Sequence, residues 1–257
     1  MRVTIHQPEF APWLGFFHKV RLADAIVLLD DVQYRKNYFQ NRNRVRASQG
    51  ATWITIPVEH AALDTSIDRI RVATDSRWRD RIEKTLSQAY GRAPHFGGAI
   101  DAVVQRLSAG DGQLIAITEP MLTWMMRSFG LQQRIWRSSS FGIQGGRSER
   151  LLRLCEAVGA TTYVSGISGR QYLDVTAFER AGVAVEFQEF RHPIYEQLYP
   201  GFVPQMSALE ALFLFGPDCT RLLEDTWPSK LDSVFACWWC CMPMSGASPA
   251  GAIFASA

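Results

Sequence analysis

The chain has 257 residues, 47% of them hydrophobic and 20% charged, with a formal net charge of +2. That length and apolar share suffice for one substantial core, and the near-neutral charge supplies no global field for nucleic acid or an anionic membrane. No run of roughly 18 apolar residues is available for a membrane span and no secretory pattern opens the sequence. The five cysteines are odd in number, and Cys237, Cys240 and Cys241 are bunched, so a reducing cytoplasm is the expected compartment.

Taken in chain order, β-branched runs bounded by turn residues predict strands at residues 2–5, 26–30, 52–58 and 67–72, with an amphipathic stretch beginning at Pro12-Trp13-Leu14-Gly15 between the first two. Asp75 and Ser76 are suited to cap a helix that runs to about Tyr90 and stops at Gly91. Two further helices are expected at 96–107 and 113–129. A short strand at 134–136 leads through a glycine-rich loop, 142–146, to a helix capped by Ser148, in which Leu151, Leu152, Leu154, Cys155 and Val158 share a face. Strands at 161–164 and 183–187 bracket a short helix at 176–181, and helices at 207–214 and 218–224 follow.

This alternation predicts an α/β fold: a mostly parallel, Rossmann-like sheet with helices on both faces and a helical insertion at about 75–130. Residues 1–224 read as one domain, and 225–257 as a Trp- and Cys-rich, then small-residue-rich tail. The CxxC spacing of Cys237 and Cys240 lacks the four ligands of a structural metal site, so no metal site is expected there.

In a parallel sheet the ligand crevice lies at the carboxyl ends of the strands, which directs attention to four groups of residues. His6 and Gln7 end the first strand, with Glu9 just beyond; a histidine there can serve as a general base or cap a turn, whereas His18, among apolar neighbours, reads as structural. Asp30 and Asp31 end the second strand and precede a basic, aromatic segment carrying Gln33, Tyr34, Arg35, Lys36, Asn41, Arg42 and Arg44. Guanidinium forks bind phosphate or carboxylate and aromatic faces stack bases, so this segment is expected to fold over an anionic ligand such as a nucleotide. The alternatives are single-stranded nucleic-acid contact, or a solvated hairpin whose charges pair among themselves. Ser165-Gly166 and Ser168-Gly169 follow another strand, with Tyr172 and Asp174 close behind, and their hydroxyls and amides suit an anion. His192-Pro193-Ile194-Tyr195 lies beyond the last strand, where His192 can flank the same crevice as His6 or form a Pro-ordered turn. No GxSxG elbow supports a serine-hydrolase reading.

Seven strings in order resemble the WbqC-like protein family: His6-Gln7-Pro8 with Pro12-Trp13-Leu14-Gly15-Phe16-Phe17; Leu29-Asp30-Asp31-Val32-Gln33-Tyr34; Asn41-Arg42; Trp53-Ile54-Thr55-Ile56-Pro57-Val58; Tyr163-Val164-Ser165-Gly166; Tyr172-Leu173-Asp174; and His192-Pro193-Ile194-Tyr195. The resemblance spans about residues 2–224, and Phe10 stands where the pattern carries Tyr. It implies a role in surface-polysaccharide biosynthesis, O-antigen included, with transfer of glycine or a related acyl group to an amino sugar. A weaker similarity, to nucleotidyltransferase-type enzymes such as the pantothenate synthetase group, ranks ATP with Mg²⁺ as a candidate cofactor, although the HxGH signature is missing.

The expected activity is therefore amide formation between an activated acyl donor and an amine of a nucleotide-linked sugar or small metabolite. The donor can be free, on a carrier protein, or an aminoacyl-tRNA; no membrane and no dedicated nucleic-acid binding are expected. His6 or His192 serves as base, and Asp30 or Asp31 orients the amine or holds Mg²⁺. Gln7, Trp13, Gln33, Tyr34, Asn41, Arg42, Arg44, Ser165, Gly166, Ser168, Gly169, Tyr172, Asp174 and Tyr195 form the expected substrate-binding set. The rival reading is a non-catalytic nucleotide-sugar-binding protein of the same pathway.

Overall fold

A computed structural model describes residues 1–224 apart from Ser76 and Asp111. The tail at 225–257, with its CxxC spacing, lies outside the described residues, as does Ser76 as a helix cap; Asp75 does cap that helix, its Oδ1 accepting from the Arg77 amide at 3.0 Å.

Five strands form an all-parallel sheet: β1 (Arg2–His6), β2 (Ala25–Leu28), β5 (Arg134–Arg137), β6 (Thr162–Ser165) and β7 (Ala184–Phe187). Their spatial order is β5-β2-β1-β6-β7. The chain builds outward from β1 through β2 to β5, then returns to the other side of β1 for β6 and β7. The order therefore reverses between β1 and β6, and the diverging connections leave a crevice at those two carboxyl ends. The expected α/β fold with a parallel sheet is what the chain adopts.

The pleat divides the core in two. Val3 pairs with Ala25 and Ile5 with Val27, and these four side chains face helix α5 (Arg147–Ala157) and helix α6 (Val175–Arg180), packing with Leu151, Leu154, Phe178 and Val183. The alternate residues Ile26 and Leu28 face the other way, toward α1 (Leu14–Arg21). That second cluster continues into α2 (Arg77–Tyr90), α3 (Phe96–Ser108), α4 (Ile115–Ser128) and α7 (Leu209–Phe215). Fully buried Phe17 of α1 stacks on Phe129 with centroids 4.9 Å apart, joining the sheet to the end of α4.

Several boundaries differ from expectation for local reasons. Residues 67–72 are not a strand: Ile67–Arg69 is a single 3₁₀ turn, followed by isolated bridges from Arg71 to Gln113 and Val72 to Val58. The last expected helix is a 3₁₀ stretch, Gly216–Leu223, opened by Pro217. Helix α5 is capped by Gly146 rather than Ser148: the Glu149 carboxylate reaches back to the Gly146 amide, and the Ser148 hydroxyl instead accepts from the Asp174 amide. The basic segment contains a strand, β3 (Arg42–Ala47), that pairs antiparallel with β4 (Gly50–Thr55) in a separate two-stranded hairpin.

Asn43, on the inner face of β3, fixes that hairpin to the sheet. Its Nδ2 donates to the carbonyls of Phe10 at 3.1 Å and Ala11 at 2.8 Å, on the segment leaving β1, where Ala11 has a φ of 46°. Asn43→Ala strands two buried carbonyls and should lower unfolding free energy by about 2–4 kcal/mol, read by urea denaturation. A loss below about 0.5 kcal/mol, within the range of an ordinary surface substitution, would contradict this anchoring role.

Candidate active site

The crevice begins where β1 ends. His6 Nδ1 lies 2.9 Å from the Gln7 carbonyl, which only accepts, so Nδ1 carries the ring proton and Nε2 is the unprotonated nitrogen. No described residue hydrogen-bonds to that Nε2. The ring packs edge-on against Phe16 at 4.9 Å and its side chain is 30% exposed. Behind it, Glu9 is buried, with Oε1 3.8 Å from His6 Nδ1 and Oε2 without a hydrogen-bond partner. Lys19 of α1 is buried beside them.

The three groups shape one another's charge. Lost hydration raises the Glu9 carboxyl to about 7, against the pull of the Lys19 ammonium. Burial lowers Lys19 to about 8, with Glu9 opposing. Burial first, and Lys19 second, push His6 down to about 3, so its imidazole is neutral at physiological pH. Glu9 was visible in the sequence as the acid nearest His6; Lys19 gave no signal beyond being a lysine in an amphipathic helix.

A basic, aromatic rim stands nearby. Gln40 donates to the Gln7 side chain at 2.8 Å, and the Phe10 amide donates to the Phe39 carbonyl at 2.9 Å, folding the segment after β2 back onto the end of β1. Arg35 lies over Tyr38 at 5.1 Å, and Arg147, at the start of α5, lies over Tyr172 at 3.9 Å. Burial and the Glu9 charge raise the Tyr38 hydroxyl, whereas Arg35 and Arg147 lower it, which places all four within one electrostatic neighbourhood. Arg147 and Arg150 were missed in the sequence because a glycine loop before a helix is a weak signal; their register in the first turn of α5 was the available clue.

The remaining candidates divide between crevice and scaffold. Asp30 accepts from the Ser139 amide at 2.9 Å and the Ser139 hydroxyl at 2.8 Å. Asp31 pairs with Arg150 at 2.5 Å and accepts from the Ser138 hydroxyl. These carboxylates clamp the end of β2 to the turn after β5 and to α5. Among the described residues no group of three or more His, Cys, Asp or Glu is placed to hold a metal ion.

Buried Ser165 donates to the Gly166 carbonyl, and a Cβ at Gly169 would lie 2.1 Å from Ser165 Oγ, so the glycine there serves close packing. Gly166 and exposed Ser168 are open at the strand end. Asp174 caps α6 through the Ala177 amide, Gln33 donates to the Leu63 carbonyl, and buried Asn41 donates to the Ile56 carbonyl. Tyr34 is partly buried against the larger core cluster, its amide on the Thr65 carbonyl. Arg42 and Arg44 stand on the outer face of the hairpin with Trp53 rather than in the crevice.

His192 sits in an aromatic cluster, stacked 6.2 Å from Trp13 and edge-on to Phe202 at 5.5 Å, with Tyr195 at 6.3 Å. Nδ1 donates to the Pro193 carbonyl at 2.8 Å and Nε2 accepts from the Gln205 amide at 3.2 Å. Neither nitrogen is left for a substrate, and Tyr195 donates to buried Glu210 at 2.8 Å. His18 is buried, its Nδ1 2.9 Å from the Gln188 amide nitrogen.

Burial lowers His192 to about 4, below its unfolded value near 6.5. Its contribution to stability is therefore complete above pH ~6.5 and is lost as pH falls toward about 4, because folding must then strip a proton from the ring. The stability advantage of wild type over His192→Asn should shrink by roughly 1–3 kcal/mol between pH 7 and pH 4 in denaturant titrations. A pH-independent difference would contradict the buried neutral assignment.

Residues 7–222 match the model of the WbqC-like protein family. The chain is 31% identical over 225 residues to the uncharacterized protein Rv1507c of Mycobacterium tuberculosis, covering 87% of this chain and 97% of that protein. No solved structure gives a significant match. Among the described residues no helix is long and apolar enough to cross a membrane. With the match covering most of the chain, the protein belongs to the WbqC-like protein family.

Proposed function

We propose that the crevice between the ends of β1 and β6 is the active site of a cytoplasmic amide-forming transferase or ligase. It would attach glycine or a related acyl group to an amine of a nucleotide-linked amino sugar or small metabolite, in surface-polysaccharide or related biosynthesis. The observation that carries the reading is the His6–Glu9 pair: a partly exposed imidazole with a bare Nε2, backed 3.8 Å from Nδ1 by a buried carboxylate. A pair of this kind abstracts a proton through one ring nitrogen and steadies the resulting imidazolium through the other.

In the proposed step the amine nitrogen attacks the acyl carbon, the new C–N bond forms and the bond to the leaving group breaks. His6 Nε2 takes the proton lost by nitrogen. The leaving group departs with the bonding electrons, and Arg147 and Arg35 lie at the rim to meet its negative charge. This requirement is the same whether the donor is an acyl-adenylate, a thioester on a carrier protein or an aminoacyl ester of tRNA. An imidazole held near 3 is free base throughout the working range, and the proposed step has Glu9, 3.8 Å from Nδ1, close on that nitrogen to stabilise the protonated ring. Lys19 favours the ionised form of Glu9, against the burial that raises the carboxyl to about 7.

A nucleotide-sugar-binding protein without turnover needs neither the bare Nε2 nor the carboxylate behind it, so the pair favours chemistry. Incubation with ATP, glycine and an amino-sugar nucleotide, read by mass spectrometry, should show gain of one glycyl unit. His6→Gln and Glu9→Gln should each lower the rate by about 10²–10⁴-fold. Because Glu9 sits near 7, the rate should climb with pH up to about 7, and Glu9→Gln should flatten that limb. Tight nucleotide-sugar binding with no product across a panel of amines and acyl donors would instead support the binding protein.

A further inference from the structure

The outer face of the β3–β4 hairpin carries a group of side chains that the crevice does not use. Arg42 and Arg44 are two residues apart on β3 and so point to the same face, and Trp53 is the direct cross-strand partner of Arg44. The Arg42 guanidinium lies 4.1 Å from the centre of the Trp53 ring and that of Arg44 lies 5.9 Å away. Trp53 remains 42% exposed, one of the few large apolar side chains left open to solvent, and Phe39 sits 5.7 Å from it.

Among the described residues the cations of this face lack counter-charges. Arg42 bonds to Asn37, a neutral residue, through its carbonyl and side-chain oxygens. Arg44 is half-buried, its Nε has no hydrogen-bond partner, and no described carboxylate forms an ion pair with either arginine. Burial makes the Arg44 charge harder to hold, lowering the guanidinium from its ordinary value. Half-buried guanidinium groups are ordinarily matched by an anion. An open indole beside two such groups has the composition of a base-stacking, phosphate-binding surface.

We propose that this face binds a nucleotide, with its base stacked on Trp53 and its phosphate held by Arg44 and Arg42. The site is distinct from the His6–Glu9 crevice and does not require the acyl-transfer reading. It adjoins that crevice, because Asn43 on the opposite face of the same strand holds the segment that leaves β1. The nucleotide chemistry can come from a free nucleotide or from the unpaired end of an RNA, and the two sources separate experimentally.

The test is calorimetric titration of the full chain with UDP, ADP and the RNA tetranucleotide ACCA at low and moderate salt. At least one should bind saturably, with affinity falling about tenfold or more in Trp53→Ala and in Arg44→Gln, less in Arg44→Lys, and little in Trp53→Phe, which keeps a stacking ring. His6→Gln should leave these affinities within about twofold, so failure of the crevice reading and failure of this one are told apart. Tighter binding of the tetranucleotide with a steeper salt dependence identifies an RNA end; equal or tighter binding of UDP or ADP identifies a free nucleotide. The proposal is overturned if none of the three binds, or if binding is unchanged in both Trp53→Ala and Arg44→Gln while circular dichroism shows those variants folded.

Discussion

The segment that leaves β1 sets the constraint on which the rest of the site depends. Inside the sheet β1 pairs with β2 along Val3–His6 and with β6 along Arg2–Thr4, but beyond His6 the chain loses both neighbours. Its polar groups must be satisfied by parts of the protein distant in sequence. Asn43 takes the carbonyls of Phe10 and Ala11, the Phe39 carbonyl takes the Phe10 amide, and Gln40 meets the Gln7 side chain. These bonds hold the hairpin and the Arg35–Tyr38 rim beside the end of β1. They also leave Glu9 enclosed, where loss of hydration dominates its charge state.

The surroundings give different work to the aspartates at the end of β2, to Glu9 beyond β1 and to Glu210 on α7. Both oxygens of Asp30 and Oδ1 of Asp31 are engaged by Ser138, Ser139 and Arg150, so these residues hold the end of β2 against α5. Glu9 has one unsatisfied oxygen and a histidine within ion-pair distance. Glu210, the other buried acid raised to about 7, is filled by Tyr195, Gln197 and Tyr90, and joins α2 and α7 to the segment that follows β7. Hydrogen-bond satisfaction, more than burial, separates a carboxylate available for chemistry from one that fastens elements together.

The parallel sheet was legible because Val3, Ile5, Ile26 and Val27 lie in short apolar runs separated by helical patterns of the right length. His6 at a strand end was legible for the same reason. The hairpin was legible only in part: a strand at 52–58 and a solvated hairpin were among the expectations, but β3 reads Arg-Asn-Arg-Val-Arg-Ala, and its inner face uses an asparagine where an amphipathic strand normally shows an apolar residue. Nor could sequence separate His6 from His192. Both follow strands and stand beside a Pro or Gln-Pro turn, yet only the fold reveals that the Gln205 amide occupies His192 Nε2. Lys19 was hidden because an inward-facing lysine and a solvated one look alike until α1 is docked.

The central claim is that His6 is a neutral imidazole protonated on Nδ1, with a bare Nε2 facing the crevice. Long-range ¹H–¹⁵N NMR of the imidazole nitrogens, with His6 assigned by comparison with His6→Gln, reads tautomer and charge directly. The ring should remain the neutral Nδ1–H form from pH 8 down to about pH 5, well below the usual histidine midpoint near 6.5. Titration of His6 near 6.5, or a neutral form protonated on Nε2, would contradict the account.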